Sequence, residues 1–121
     1  MSIEQDLTDT VLDYIEGWYG ADAARMDRAL SPQLAKRHRV SEEELRDVDA
    51  AWIIRITGEG RGRLDDPSSG RKEIAILDRT ETMASVKLVS EEFVDYMHLV
   101  KMRDGWRVVN VVWDYHGETE A

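Results

Sequence analysis

The stretch Asp95-Tyr96-Met97-His98-Leu99-Val100-Lys101-Met102-Arg103-Asp104-Gly105-Trp106-Arg107-Val108-Val109-Asn110-Val111-Val112-Trp113-Asp114 decides the fold. Two alternating runs rich in β-branched and aromatic residues flank Asp104-Gly105, the dipeptide of the type I′ hairpin turn, in which glycine supplies positive φ without steric cost. A two-residue turn there predicts a register in which Leu99 faces Asn110, Met97 faces Val112 and Asp95 faces Asp114 on one side of the sheet. The other side then carries Tyr96, His98, Val111 and Trp113.

Working outward, Glu91-Glu92 reads as a second two-residue turn, which sets Leu88 beside Asp95, Val86 beside Met97 and Ala84 beside Leu99. The runs Lys72–Arg79, Thr82–Ser90, Phe93–Arg103 and Trp106–His116 predict four antiparallel strands. Both faces of this sheet are largely apolar, whereas an antiparallel sheet covered on one side only meets water on the other. One face is expected to cover helices and the other to meet a second copy of the chain, through Tyr96, His98, Val111 and Trp113.

Ahead of the strands, Ile3, Leu7, Val11, Tyr14, Ile15 and Trp18 recur at helical spacing, with Ser2 and Gln5 as a capping box. Asp22 reads as the N-cap of a short second helix that ends before Pro32. Gln33 to Val40 is polar and reads as a loop or short edge strand. Ser41 with Glu44 forms another capping box, predicting a third helix through Leu45, Val48, Trp52 and Ile56. Glu59 to Gly70, rich in glycine and serine, reads as a mobile loop able to lie over a pocket as a lid. The tail, residues 116–121, is expected to fray.

The chain has 121 residues, which suits one domain over 1–121. Its formal net charge of −9 opposes approach to a phosphate backbone, and the local exception Lys36-Arg37-His38-Arg39 has no aromatic stacking platform beside it in sequence. Nucleic acid is not an expected partner. Cysteine is absent, so no disulfide and no thiolate metal site can form. The N-terminus is acidic and no apolar run reaches the ~20 residues of a membrane span, so the expectation is a cytoplasmic protein with no membrane partner.

Three helices with Trp18-Tyr19-Gly20-Ala21-Asp22, the segment Arg25-Met26-Asp27-Arg28-Ala29-Leu30-Ser31-Pro32, and the closing Phe93-Val94-Asp95-Tyr96 and Gly105-Trp106-Arg107-Val108-Val109-Asn110 resemble the nuclear transport factor 2-like superfamily. The resemblance is to its small bacterial lumazine-binding branch and to SnoaL-like proteins. It implies an α+β fold of the cystatin-like kind, a cone of helices packed on a strongly curved four- to six-stranded antiparallel sheet, and a dimer built on the sheet. Relatives include dehydratases, ketosteroid isomerases, epoxide hydrolases, polyketide cyclases and non-catalytic transport domains, and the fold alone does not choose among them.

Several side chains are candidates for chemistry. Asp95 and Asp114, as cross-strand neighbours, would not both ionise cheaply, and either could act as a general base α to a carbonyl. Their alternative is a solvated pair at strand ends. Tyr14, Trp18 and Trp52 could wall a pocket for a flat ligand or simply fill the core. Asn110, placed between apolar neighbours on the helix-covered face, must bond either a helix backbone or a ligand. His116 shares a face with Asp114, which sketches a carboxylate–histidine metal site, but its place beside the tail argues for an exposed histidine, and no metal or other cofactor is expected. The expectation is a homodimeric domain that binds a small apolar or aromatic molecule, with a cofactor-free lyase or isomerase, or a structural domain with a filled cone, as alternatives.

Overall fold

The computed structural model describes residues 2–117; most of the tail expected to fray, 118–121, lies outside the described residues. Helix α1 spans Ile3–Tyr19 and is capped by Ser2, whose hydroxyl accepts from the Gln5 amide at 3.1 Å. Leu7, Val11, Tyr14 and Ile15 form its buried face. Helix α2, Ala23–Ala29, starts at an Asp22 N-cap and runs straight into strand β1, Leu30–Ser41.

Strand β1 occupies the stretch expected to be a loop or short edge strand, but it has 12 residues and is paired on both sides. It pairs antiparallel with β2, Glu44–Val48, and parallel with β6, Gly105–Tyr115. Pro32, which lacks an amide hydrogen, falls where the β1–β6 register shifts between Leu30 and Ala35, so it interrupts no regular pairing. The Ser41 and Glu44 motif is therefore not a helix cap but the corner of a hairpin, with Glu42-Glu43 as its turn. The third helix, α3, is shorter than expected, Ala50–Gly58, and its N-cap is Asp49, which accepts from the Trp52 amide at 2.9 Å.

Strands β3 (Glu73–Arg79), β4 (Met83–Val89), β5 (Phe93–Met102) and β6 form the expected antiparallel meander. The full sheet has six strands in the order β2-β1-β6-β5-β4-β3, so it is mixed rather than wholly antiparallel. The three helices pack on it, giving an α+β fold. Leu7, Val11 and Ile15 of α1, Met26 of α2, Ile53 and Ile56 of α3, and Val86, Leu88, Met97, Leu99, Val108 and Val111 of the sheet share one buried core.

The β4–β5 register is the one expected, with Leu88 opposite Asp95, Val86 opposite Met97 and Ala84 opposite Leu99. The β5–β6 register is not. Asp104 has negative φ, Ala21 being the sole non-glycine with positive φ among the described residues, so the turn is not type I′. Met102 pairs with Gly105 instead, Arg103 and Asp104 make the turn, and Gly105 takes φ 124° just after it. A register shift then comes between His98 and Leu99: Leu99 pairs with Val108, but His98 pairs with Asn110, leaving Val109 as a bulge. Since side chains alternate with a period of two, these changes re-aim every β6 residue after the bulge relative to the expected pairing.

Candidate functional site

A cavity of about 330 Å³ lies between α1, α3 and the sheet, at the lower end of the size range of small-molecule pockets. Its walls are aromatic: Trp18 of α1, Trp52 of α3, Phe93 of β5, and Trp113 and Tyr115 of β6. The alternation of β6 beyond Val109 puts Trp113 and Tyr115 on the inner side, opposite Asp95 and Phe93 respectively. Phe93 and Trp113 meet edge to face at 4.9 Å between ring centroids.

Trp18 is held by the loop after α3. A Cβ at Gly62 would lie 2.0 Å from Trp18 Cε2, so the backbone there passes against the indole in a way no other residue permits without displacing it. The loop is not the free lid expected from its composition. Backbone bonds from Arg61 to Ile56, from Arg63 to Gly60 and from Leu64 to Tyr19, all at 3.1 Å, tie it down. Arg61 of this loop lies 5.9 Å over the Trp52 ring.

Within the cavity three polar side chains form a chain across the fold. Lys36 Nζ, from β1, donates to the Tyr14 hydroxyl at 2.5 Å, and that hydroxyl donates to Asp95 Oδ2 at 2.8 Å. Tyr14 and Asp95 are only 4% and 3% exposed. Lys36 is half-buried as a residue, with its ammonium end enclosed, 5.0 Å over the Tyr14 ring and 5.8 Å over the Trp113 ring. Burial pushes the Asp95 carboxyl above the usual carboxylate range, against the opposing pull of the Lys36 charge and the Tyr14 hydrogen bond. Burial also lowers the Lys36 ammonium, with the Asp95 charge opposing. The Tyr14 phenol is driven well above its ordinary value, first by burial and then by the adjacent carboxylate.

Beside this chain His38 stacks on Trp113 at 3.9 Å between centroids with a 14° interplanar angle, and its Nε2 lies 3.2 Å from Asp114 Oδ1. Arg46 of β2 lines the same rim.

The sequence placed the candidate residues only in part. Tyr14, Trp18, Trp52 and Asp95 meet at this cavity. Asp95 and Asp114 do not face each other: Asp95 pairs with Trp113, while Asp114 pairs with Val94, is exposed and meets the His38 ring, so the two carboxylates do not form a pair. Asn110 is exposed on the outer face, 3.4 Å from His98 Nδ1, and does not reach the helices. Tyr96 and His98 are on the outer face as expected, but Val111 is core and Trp113 is pocket wall, because the bulge exchanges their sides. His116 bonds the Glu91 carbonyl through Nε2 at 2.9 Å. Among the described residues no cluster of three or more histidine, aspartate or glutamate side chains could hold a metal ion. Lys36 and His38 went unrecognised, although Leu34, Lys36 and His38 already have the period-two spacing of residues on one face of a strand.

The family model described as "Putative lumazine-binding" matches residues 2–114. Among solved structures, an NTF-2 like protein of unknown function from Silicibacter pomeroyi superposes with a TM-score of 0.75 at 16% identity, over 96% of this chain and 100% of that one. An NTF2-like protein of unknown function from Methylobacillus flagellatus gives a TM-score of 0.75 at 17% identity, over 96% and 95% of the two chains. An NTF2-like protein from Cytophaga hutchinsonii gives 0.70 at 14%, over 95% and 99%. No curated protein matches the sequence. At these identities the structural likeness bears on the fold alone. No helix among the described residues is long and apolar enough to cross a membrane.

Proposed function

Since the chain belongs to the family described as "Putative lumazine-binding" and has the fold of NTF2-like proteins, we propose that its cavity binds one small, flat, aromatic molecule. The observation that carries this reading is the combination of three indole walls, Trp18, Trp52 and Trp113, with a polar chain of three side chains, Lys36, Tyr14 and Asp95, reaching the same cavity. Aromatic walls favour a ring by stacking and area burial, and a few fixed polar groups orient it. Titrating the protein with lumazine and with naphthalene derivatives while following tryptophan fluorescence tests the reading. Saturable quenching that is lost in Trp52→Ala supports it, and no saturable response to any of these rings contradicts it.

A second reading, a lyase or isomerase, is favoured by one specific feature. Asp95 is a buried carboxylate of raised pKa in reach of the cavity, suited to take a proton α to a carbonyl while the Lys36 ammonium stabilises the developing oxyanion. Exchange of α-protons of an aromatic ketone into deuterated water, abolished by Asp95→Asn, would support it.

The outer face of the sheet is the surface we assign to a second copy of the chain. Tyr96, Val112 and Met83 are 51%, 53% and 57% exposed there, beside His98 and Asn110. This set replaces the one containing Val111 and Trp113. Two copies joined this way would leave both cavities open on the opposite sides of their sheets.

A further inference from the structure

Lys36 is an under-paired cation. Its ammonium carries three N–H donors, and among the described residues it has one hydrogen bond, to the neutral hydroxyl of Tyr14. No carboxylate oxygen among the described residues lies within 4.0 Å of it; Asp95, the charge acting on it, sits behind that hydroxyl. A buried charge left short of partners gives up hydration that the protein does not return, so such groups normally meet a counter-ion. The open side of Lys36 is the cavity, between the Tyr14 and Trp113 rings.

Lys36, Arg46 and Arg61 line the cavity against Asp95 and Glu92, a positive balance of one in a chain whose formal net charge is −9. Arg61 has no ion pair among the described residues, and Arg46 meets Glu44 only at 3.8 Å. A cationic lining inside an acidic protein focuses attraction for an anion on this one opening.

Resting on the pocket reading above, we propose that the ligand is an aromatic carboxylate, its ring held among Trp18, Trp52 and Trp113 and its carboxylate received by the two unspent N–H donors of Lys36. The cations Arg46 and Arg61 draw the anion in at the rim. Asp95 would repel it, and the Tyr14 hydroxyl between them, donating to Asp95, turns that charge away from the incoming oxygen.

Isothermal titration of the full chain with 2-naphthoate and with its uncharged isostere 2-naphthamide separates the claims. The wild type is expected to prefer the carboxylate by about tenfold or more, as a charge-assisted bond to an enclosed ammonium requires. Lys36→Met should bring the two affinities to within about twofold while still binding the amide, since the apolar walls are intact. Equal affinities in the wild type, or a preference that survives in Lys36→Met, overturns the proposal. If Lys36→Met does not fold, Asp95→Asn decides: removal of the competing carboxylate must raise the preference for 2-naphthoate, and an unchanged or smaller preference overturns the assignment. Binding of neither ring overturns the pocket reading itself, which is a different result from binding both equally.

Discussion

Changing Tyr14 to Phe removes the hydroxyl and leaves the ring, and that oxygen is the centre of the polar chain. It accepts from Lys36 and donates to Asp95, at 2.5 and 2.8 Å. Without it a carboxylate that is 3% exposed loses its only hydrogen bond among the described residues, and an enclosed ammonium loses its acceptor. Hydrogen bonds to charged groups contribute ~1.5–3 kcal/mol each, and partial approach of Lys36 to Asp95 would offset some of the loss. A net destabilisation of about 2–4 kcal/mol follows, or roughly 8–16 °C in Tm for a chain of this length.

The loss must also depend on pH, with a definite sign. Burial raises the Asp95 pKa in the folded state, so its contribution is fully present below the unfolded value of ~3.9 and is lost as pH rises through the raised folded value. The Tyr14 hydrogen bond holds that folded value down, so Tyr14→Phe raises it further and enlarges the loss at neutral pH. At low pH the protonated carboxyl can donate for itself and the two proteins converge. Thermal unfolding of both proteins between about pH 4 and pH 8 reads this directly. Equal Tm at neutral pH, or a gap that does not narrow as the pH falls, refutes the reasoning.

Gly62→Ala should displace the Trp18 indole, because the added Cβ would lie 2.0 Å from Cε2; the expected result is a shifted tryptophan emission and at least several-fold weaker binding of 2-naphthoate, with circular dichroism little changed. Deleting Val109 removes the extra residue of the bulge and joins Val108 to Asn110, so that Val108, Asn110 and Val111 keep their partners Leu99, His98 and Met97 and their sides of the sheet; the variant should fold with Val111 still buried, and an unfolded or insoluble product would contradict the register described above. Val112→Arg places a charge on the outer face of the sheet, where Val112 is 53% exposed; sedimentation should show dimer in the wild type and monomer in the variant, and a wild-type monomer at micromolar concentration contradicts the dimer.

How much of this was legible in the sequence varies strand by strand. Glu91-Glu92 gave the correct β4–β5 pairing because a polar two-residue turn between apolar runs has one simple closure. Asp104-Gly105 misled because the same dipeptide also serves a turn whose glycine comes after the two central residues, and because a bulge at Val109 leaves no mark in a run of alternating valines. That error of one position separated Asp95 from Asp114 and moved Trp113 from a partner surface to a pocket wall. Residues 33–48 were the larger loss. Their charges read as a solvated loop followed by a helix cap, yet in β1 the alternation turns Arg37 and Arg39 outward and Lys36 and His38 inward. A cation facing a pocket and one facing solvent look alike in composition. The true cap of α3, Asp49, was overlooked for Ser41 because the Ser41/Glu44 pair satisfies the same local pattern.

The most direct test of an aromatic-walled cavity uses the four tryptophans as reporters. Trp18, Trp52 and Trp113 line it, whereas Trp106 is buried in the core away from it, 4% exposed and with no hydrogen-bond partner for its indole nitrogen among the described residues. In a 15N-labelled protein titrated with 2-naphthoate, the indole N–H signals of Trp18, Trp52 and Trp113 should move in a saturable way and that of Trp106 should stay in place. No movement at saturating concentration, or movement of Trp106 with the other three unmoved, would contradict the account.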